Sequence, residues 1–248
     1  MHHKCQDAKG FLCKPHSCDS AAAQSQHHWV RGNLRVLSSG LPKCAACKSV
    51  IAVPVSPIAL GKYSRCSICT IKVHDECLPL LEGGCTGGAL GDAIVLPNEM
   101  AMVEGKLAPR ISGKKCPILL FINSRSGSAQ GDAVLKAVSS YLNKWQIWDL
   151  ADGGPKRGLE LFRNISCRVI ACGGDGTFGW LQSAIDAGNF KIRPFVGHFP
   201  LGTGNDMSRS LGWGPGYAGE DIKKVLFKFA RAEVAVLDRW KVTFDGKG

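Results

Sequence analysis

Five residues, Gly173-Gly174-Asp175-Gly176-Thr177, follow the apolar run RVIAC and precede a helical pattern. A glycine turn at such a junction lets backbone N–H groups approach phosphate oxygens without a side chain in the way. The helix N-terminus behind it adds positive potential. Within the turn, Asp175 offers a carboxylate to a magnesium ion or a polarised hydroxyl, and Thr177 offers a hydroxyl to phosphate or to a helix cap. Alone, the turn is weak evidence, because many glycine turns only satisfy backbone geometry. Two further polar, glycine-bearing stretches end apolar runs: Asn123-Ser124-Arg125-Ser126-Gly127 and Pro200-Leu201-Gly202-Thr203-Gly204-Asn205-Asp206. Open parallel sheets bind ligands at the carboxyl ends of their strands, so three such loops together predict a nucleotide site. Asp206 has a plainer alternative role, as N-cap of a helix over MSRSL. Neither the Walker phosphate loop nor a GxGxxG fingerprint after the first strand is present.

A second chemistry lies upstream. The string His27-x16-Cys44-x2-Cys47-x18-Cys66-x2-Cys69-x4-His74-x2-Cys77-x7-Cys85 supplies six Cys and two His, enough for two tetrahedral zinc sites. A Cys-x2-Cys pair lets two thiolates converge on one ion, and the metal folds a module whose core is too small to do so alone. Short spacings, interleaved histidines and no secretory pattern at the N-terminus favour zinc in a reducing compartment over disulfides. Further upstream, His2-x2-Cys5-x7-Cys13 repeats the spacing of His74-x2-Cys77-x7-Cys85. It reads as the tail, residues 1–18, of another zinc module whose front is missing, with Cys18 idle or part of it.

The elements that must position these groups read as follows. Pro117–Asn123, Ser166–Cys172 and Phe195–Phe199 have the apolar character of buried strands, and Ala235–Phe244 reads as a closing strand. Helical patterns cover Asp132–Asn143, with Val134, Leu135, Val138 and Leu142 on one face, and the stretches Thr177–Ala187 and Asp221–Ala232. Strands alternating with helices imply an α/β domain with a largely parallel sheet over 116–248. Residues 86–115 are rich in Gly and Pro with a basic end, and form a linker or a wrapping segment between this domain and the zinc module at 27–85. His198 reads as a core histidine, Cys116, Cys167 and Cys172 as small apolar packing residues, and Trp180 and Trp213 as core or rim packing.

The zinc string resembles the diacylglycerol/phorbol-ester-type finger of protein kinase C and diacylglycerol kinases. That resemblance implies interleaved ligand sets: His27, Cys66, Cys69 and Cys85 for one ion, and Cys44, Cys47, His74 and Cys77 for the other. An aromatic residue two positions after the leading histidine, here Trp29, selects His27 over His28. Phorbol-binding members carry a Gly/Gln-containing loop before the second Cys pair. Here the stretch is Leu60-Gly61-Lys62-Tyr63-Ser64-Arg65, without Gln, which sets a structural or docking role beside diacylglycerol sensing.

FINSRSG (121–127), CGGDGTFGW (172–180), PLGTGNDMSRSLGWG (200–214) and VLDRWKV (236–242) together resemble the catalytic domain of eukaryotic diacylglycerol kinases. Ser124 departs from the Pro usual in the first loop. The resemblance implies a three-layer, Rossmann-like nucleotide-binding domain of the diacylglycerol kinase/NAD kinase type, behind a small β-rich zinc module. It also implies ATP- and Mg2+-dependent phosphorylation of diacylglycerol to phosphatidic acid at a membrane surface, in a cytoplasmic, peripherally associated protein. Gly173, Gly174, Gly176 and Thr177 would cradle phosphate, helped by Asn123, Ser126 and Gly127. Asp175 would orient metal or nucleotide. Gly202, Thr203, Gly204, Asn205 and Asp206 would face the adenosine or the reacting centre. Family members continue into an accessory domain, so a chain ending at Gly248 is expected to be a fragment of low activity on its own. The alternatives are a non-catalytic membrane- or partner-binding fragment and a kinase for another lipid, such as a sphingoid base.

Composition sets the outer bounds. With 45% hydrophobic residues the 248-residue chain can build a core, and no run approaches the roughly 20 apolar residues of a bilayer span. The formal charge of +11 favours anionic partners. Nucleic acid is the weakest of these, because the cysteine spacings are not those of a helix-bearing Cys2His2 finger.

Overall fold

The structure, a computed structural model, describes residues 26–31, 41–52, 62–126 and 130–240. The upstream repeat at His2, Cys5 and Cys13, Leu60 and Gly61 before the second Cys pair, Gly127 of the first loop, and residues 241–244 of the expected closing strand lie outside them.

Among the described residues the chain forms nine strands and five α-helices. Strands β1 (Trp29–Arg31), β2 (Tyr63–Cys66) and β3 (Lys72–His74) make a small antiparallel sheet. A hairpin follows, β4 (Met100–Val103) with β5 (Lys106–Pro109). The main sheet takes β6 (Ile118–Ile122), β7 (Ile147–Asp149), β8 (Arg168–Gly173) and β9 (Phe195–Pro200), all parallel, in the order β7-β6-β8-β9. Its crossovers are α1 (Gln130–Val138), α2 (Lys156–Leu161) and α3 (Asp175–Gly188). After β9 come α4 (Asp206–Ser210) and α5 (Ile222–Arg231).

All five residues of β6 are buried, as an unbroken apolar run in a sheet covered on both faces requires. Side chains alternate across the sheet. Ile118, Leu120 and Ile122 share a cluster with Val134 and Val138 of α1 and Leu226 and Phe229 of α5. Leu119 and Phe121 share another with Leu159 of α2 and Leu181 and Ile185 of α3. The caps agree with local chemistry. The Asp221 carboxylate accepts the Lys223 N–H at 2.8 Å to start α5, and Asn189, at φ 46°, ends α3 in the left-handed region where Asn is tolerated.

The 86–115 segment packs onto this sheet. Ala93, Ile94, Val95 and Met100 are buried, and a knot of amide bonds holds the stretch down. The buried Gln146 side chain donates to the carbonyls of Ala93 and Ile118, both at 2.7 Å, and accepts the Val95 N–H at 2.8 Å. Asn143 Nδ2 donates to the Val95 carbonyl at 3.1 Å. Lys115 Nζ lies 2.7 Å from Glu99 Oε1 and also donates to the Ile94 carbonyl at 3.1 Å, so this sheltered pair has its remaining hydrogen-bonding sites served.

Three local expectations change. Helix α1 ends at Val138 rather than Asn143. Ser139 Oγ donates to the Leu135 carbonyl, and Asn143 instead caps a short 3-10 turn, Lys144–Gln146, accepting the Trp145 N–H at 3.2 Å. Residues 235–240 form no strand. No described strand pairs with them, and Val236 and Trp240 are almost wholly exposed. Strand β7 and helix α2, too short to stand out by periodicity, complete the sheet and its cover.

Candidate nucleotide site and metal clusters

The loops after β6, β8 and β9 line one opening of about 480 Å³, formed by Asn123, Ser126, Gly174, Asp175, Gly176, Thr177, Trp180, Gly202, Thr203 and Gly204. Adjacent parallel strands bring these loops together, because each strand delivers its following residues to the same end of the sheet. The two glycine turns touch backbone to backbone. A Cβ on Gly202 would lie 2.5 Å from Gly174 Cα, and one on Gly174 would lie 2.9 Å from the Gly204 carbonyl oxygen. Only glycine permits that approach. Gly176, by contrast, has open space where a Cβ would stand, with nothing within 4 Å, leaving room for a ligand beside the amino end of α3.

Asp175 fastens the loops. Its Oδ2 accepts the Asp206 N–H at 2.8 Å and its Oδ1 accepts the Met207 N–H at 3.1 Å, while its own N–H donates to the Gly204 carbonyl at 2.9 Å. It therefore caps α4 from another loop, satisfying amides that the helix cannot. Asp206 itself points outward and pairs with Arg209. Asn205 points inward: its Nδ2 donates to the carbonyls of Gly202 at 2.6 Å and Pro215 at 2.7 Å, which braces the loop. Its Oδ1 is buried without a hydrogen bond. Asn123 Nδ2 reaches the Thr177 hydroxyl at 3.4 Å and links the first loop to the second. Thr203 stands on the rim, and Gly127 lies outside the described residues.

Beneath the site lies His198, wholly buried on β9. Its Nε2 donates to the Gly173 carbonyl at 3.0 Å, and its Nδ1 has no hydrogen bond although Asp175 Oδ1 is 3.9 Å away. Burial lowers its pKa and outweighs the opposing pull of the Gly173 carbonyl and the Asp175 charge, so the pair is a neutral imidazole beside a carboxylate rather than an ion pair. The sequence marked His198 as core and held no sign of this neighbour, which strand pairing supplies. Gly131 was also missed. A Cβ there would fall 2.2 Å from the Asn123 carbonyl oxygen, so a glycine in α1 lets the first loop close against the helix.

Upstream, two sets of donors converge, with all donor atoms of each set within 4.8 Å of one another: His27, Cys66, Cys69 and Cys85; and Cys44, Cys47, His74 and Cys77. At a Zn–S distance of about 2.3 Å, tetrahedral donors stand about 3.8 Å apart. Cys66 Sγ to Cys85 Sγ is 3.9 Å, and Cys69 Sγ to His27 Nδ1 is 3.4 Å. In the other set His74 Nδ1 lies 3.4 Å from Cys47 Sγ and 3.9 Å from Cys77 Sγ. These edges fit a tetrahedral ion. Burial and the thiols of Cys47 and Cys44 raise Cys77 to about 11, so binding a metal there must release a proton. Hydrogen bonds from Cys69 and Cys85 lower Cys66 in the first set. Cys167, by contrast, is pushed up to about 12 by burial and packs as an inert side chain. Among the described residues no helix is long and apolar enough to cross a membrane.

Residues 117–238 match the family model of the diacylglycerol kinase catalytic domain. The chain is 36% identical over 239 residues to diacylglycerol kinase 1 of Drosophila melanogaster, covering 87% of this chain and 19% of that protein. It is 36% identical over 228 residues to diacylglycerol kinase eta of Mesocricetus auratus, covering 90% and 19%. For diacylglycerol kinase kappa of Homo sapiens the figures are 34% over 233 residues, 87% and 17%. The chain thus spans less than a fifth of these relatives, while the similarity reaches well upstream of the catalytic match. No solved structure matches. With the glycine loops of the match gathered around one opening and the similarity continuing into the cysteine-rich region, the chain belongs to the diacylglycerol kinase family.

Proposed function

We propose that this chain is the nucleotide-binding part of a lipid kinase that transfers the γ-phosphoryl group of ATP to the free hydroxyl of diacylglycerol, giving phosphatidic acid. The observation that carries the reading is the convergence of three polar, glycine-bearing loops at the carboxyl ends of β6, β8 and β9. In the transfer the hydroxyl oxygen forms a bond to the γ-phosphorus, the bond from that phosphorus to the β-phosphate oxygen breaks, ADP leaves and the hydroxyl proton is released. Such chemistry depends on positioning and on neutralising phosphate charge, a task Mg2+ shares when bound. Backbone N–H groups of Gly174 and Gly176 and the Thr177 hydroxyl, with Asn123 and Ser126, hold the phosphate chain, since the Thr177 N–H is already donated to the Gly174 carbonyl. Asp175 keeps the second and third loops in register and Thr203 borders the reacting end, while Asp206, paired with Arg209, stands outside the lining. The layering is read as Rossmann-like, with the catalytic domain over 116–248 and a two-zinc module over 27–85 tied to it by 86–115. Zinc in the two cysteine/histidine sets would supply folding energy to that module. Contact with the cytoplasmic face of a membrane follows from the substrate and from the +11 charge.

The test is transfer of label from γ-labelled ATP to diacylglycerol in mixed micelles, comparing this chain with Asp175→Ala. Label in phosphatidic acid that disappears in the variant supports the reading. ATP binding without transfer would favour the non-catalytic fragment, and absence of ATP binding would end both.

A further inference from the structure

The glycine loops offer N–H groups to a phosphate chain but nothing flat to a base. Among the residues lining the opening, Trp180 alone carries an aromatic ring. It stands on the second turn of α3 and is 48% exposed, in contrast to Phe178 and Leu181 beside it, which are buried. Its six-membered ring is backed by main chain. A Cβ on Gly154 would lie 2.8 Å from Trp180 Cζ2, and Gly154 sits at φ 73° in the turn after β7. A ring supported from behind and open toward the cleft loses little freedom when something stacks on it.

We infer that Trp180 is a nucleotide-binding residue, the platform on which the base stacks while its phosphates lie in the glycine loops. This rests on the nucleotide reading of the site and deepens it. Aromatic stacking tolerates any base, because each presents a π-face, and it is strongest for the larger purines. Gly154 acquires a role as well: it is the floor that lets the indole sit back from the opening.

The experiment compares Mg2+·ATP with inorganic tripolyphosphate, each titrated calorimetrically into the whole chain. Trp180→Ala is expected to weaken ATP binding about tenfold or more, the scale of one base–aromatic stack, and to leave tripolyphosphate unchanged. Trp180→Phe restores part of the loss. Gly154→Ala, which drives a methyl group into the indole, weakens ATP in the same selective way. Equal ATP affinity in wild type and Trp180→Ala overturns the inference while leaving the nucleotide site intact. So does parallel loss of both ligands, which marks a folding role. A wild-type chain that binds tripolyphosphate no more weakly than ATP overturns it too, since the base then contributes nothing. If the wild type binds neither, the nucleotide reading falls and the platform with it.

Discussion

The two donor sets look alike in sequence and differ in what surrounds them. Cys66, Cys69 and Cys85 lie in the same apolar cluster as Ile118, Leu120 and Ile122 of the central strand, with Leu90 and Ile94 between. Cys44 and Cys77 belong instead to a small separate cluster with Ile51, Tyr63 and Val73, and their partner Cys47 is exposed. One set is therefore part of the catalytic domain's core and the other closes a local knot. The lesson is that a metal site's reach follows from what its ligands pack against, because the ion itself fixes only its four donors.

The sharpest way to break this comparison is to remove one thiol from each set. Cys66→Ser should lower stability by more than about 4 kcal/mol, the range reached when a metal site is lost. The loss should spread to the sheet, seen as faster amide exchange over Ile118–Ile122 together with release of one zinc. Cys47→Ser should release one zinc as well yet leave the exchange of that strand unchanged. Equal effects on β6 would erase the distinction.

The next variant cuts the tie between the regions without touching a metal. Gln146→Ala leaves the Val95 N–H and the carbonyls of Ala93 and Ile118 unsatisfied in a buried place. A cost of about 3 kcal/mol is expected, since each orphaned group costs about 1–3 kcal/mol before relaxation. Limited proteolysis should then cut within 86–115 first, with both zinc ions retained.

A smaller effect is expected at the loop contact. Gly202→Ala places a methyl group 2.5 Å from Gly174 Cα. Overpacking against main chain should cost about 1–3 kcal/mol. Loss of ATP binding with unchanged zinc content, followed by calorimetry and metal analysis, would place the damage on the catalytic side alone.

Acid gives the smallest and most specific separation. Burial keeps the folded pKa of His198 below its ordinary value, so as pH falls the unfolded chain takes up this proton first. The resulting stability is complete above about pH 6.5, the unperturbed histidine value, and is lost as pH falls from there through the folded pKa. Protonating the clustered cysteines and histidines would also release any bound metal in acid, so the measurement is a difference. Wild type should lose more stability than His198→Gln between neutral pH and about pH 5, in denaturant titrations. Identical slopes would mean that His198 is not held neutral.

Much of this molecule could be read from its residues in order. The three polar, glycine-bearing loops, the apolar run of β6, the glycine-to-helix junction before α3 and the helical pattern of α5 are local features, each encoded within a few residues. The donors were legible for the same reason, since Cys-x2-Cys and His-x2-Cys spacings carry their chemistry in a short stretch. What escaped was short or distant. Strand β7 has only three residues, and α2, six residues with a glycine inside, has too few turns for a period. Over its described part, 235–240, the expected closing strand did not form: Val236, Leu237 and Trp240 have strand character, but propensity alone does not pair a segment with a sheet edge.

The sequence by itself determined which groups are available: eight candidate metal donors, three glycine loops and the carboxylate of Asp175. Tertiary structure decided what they do for one another. It set Asp175 under the amides of residues 31 and 32 positions downstream, brought His27 to Cys69 across 42 positions, and seated Trp180 over Gly154. It also joined one donor set, and not the other, to the core of the sheet. The physical reason is the same in each case. Hydrogen bonds, ligand shells and apolar contacts act over a few ångströms of space, whatever the separation along the chain, and only the folded sheet brings those partners within reach.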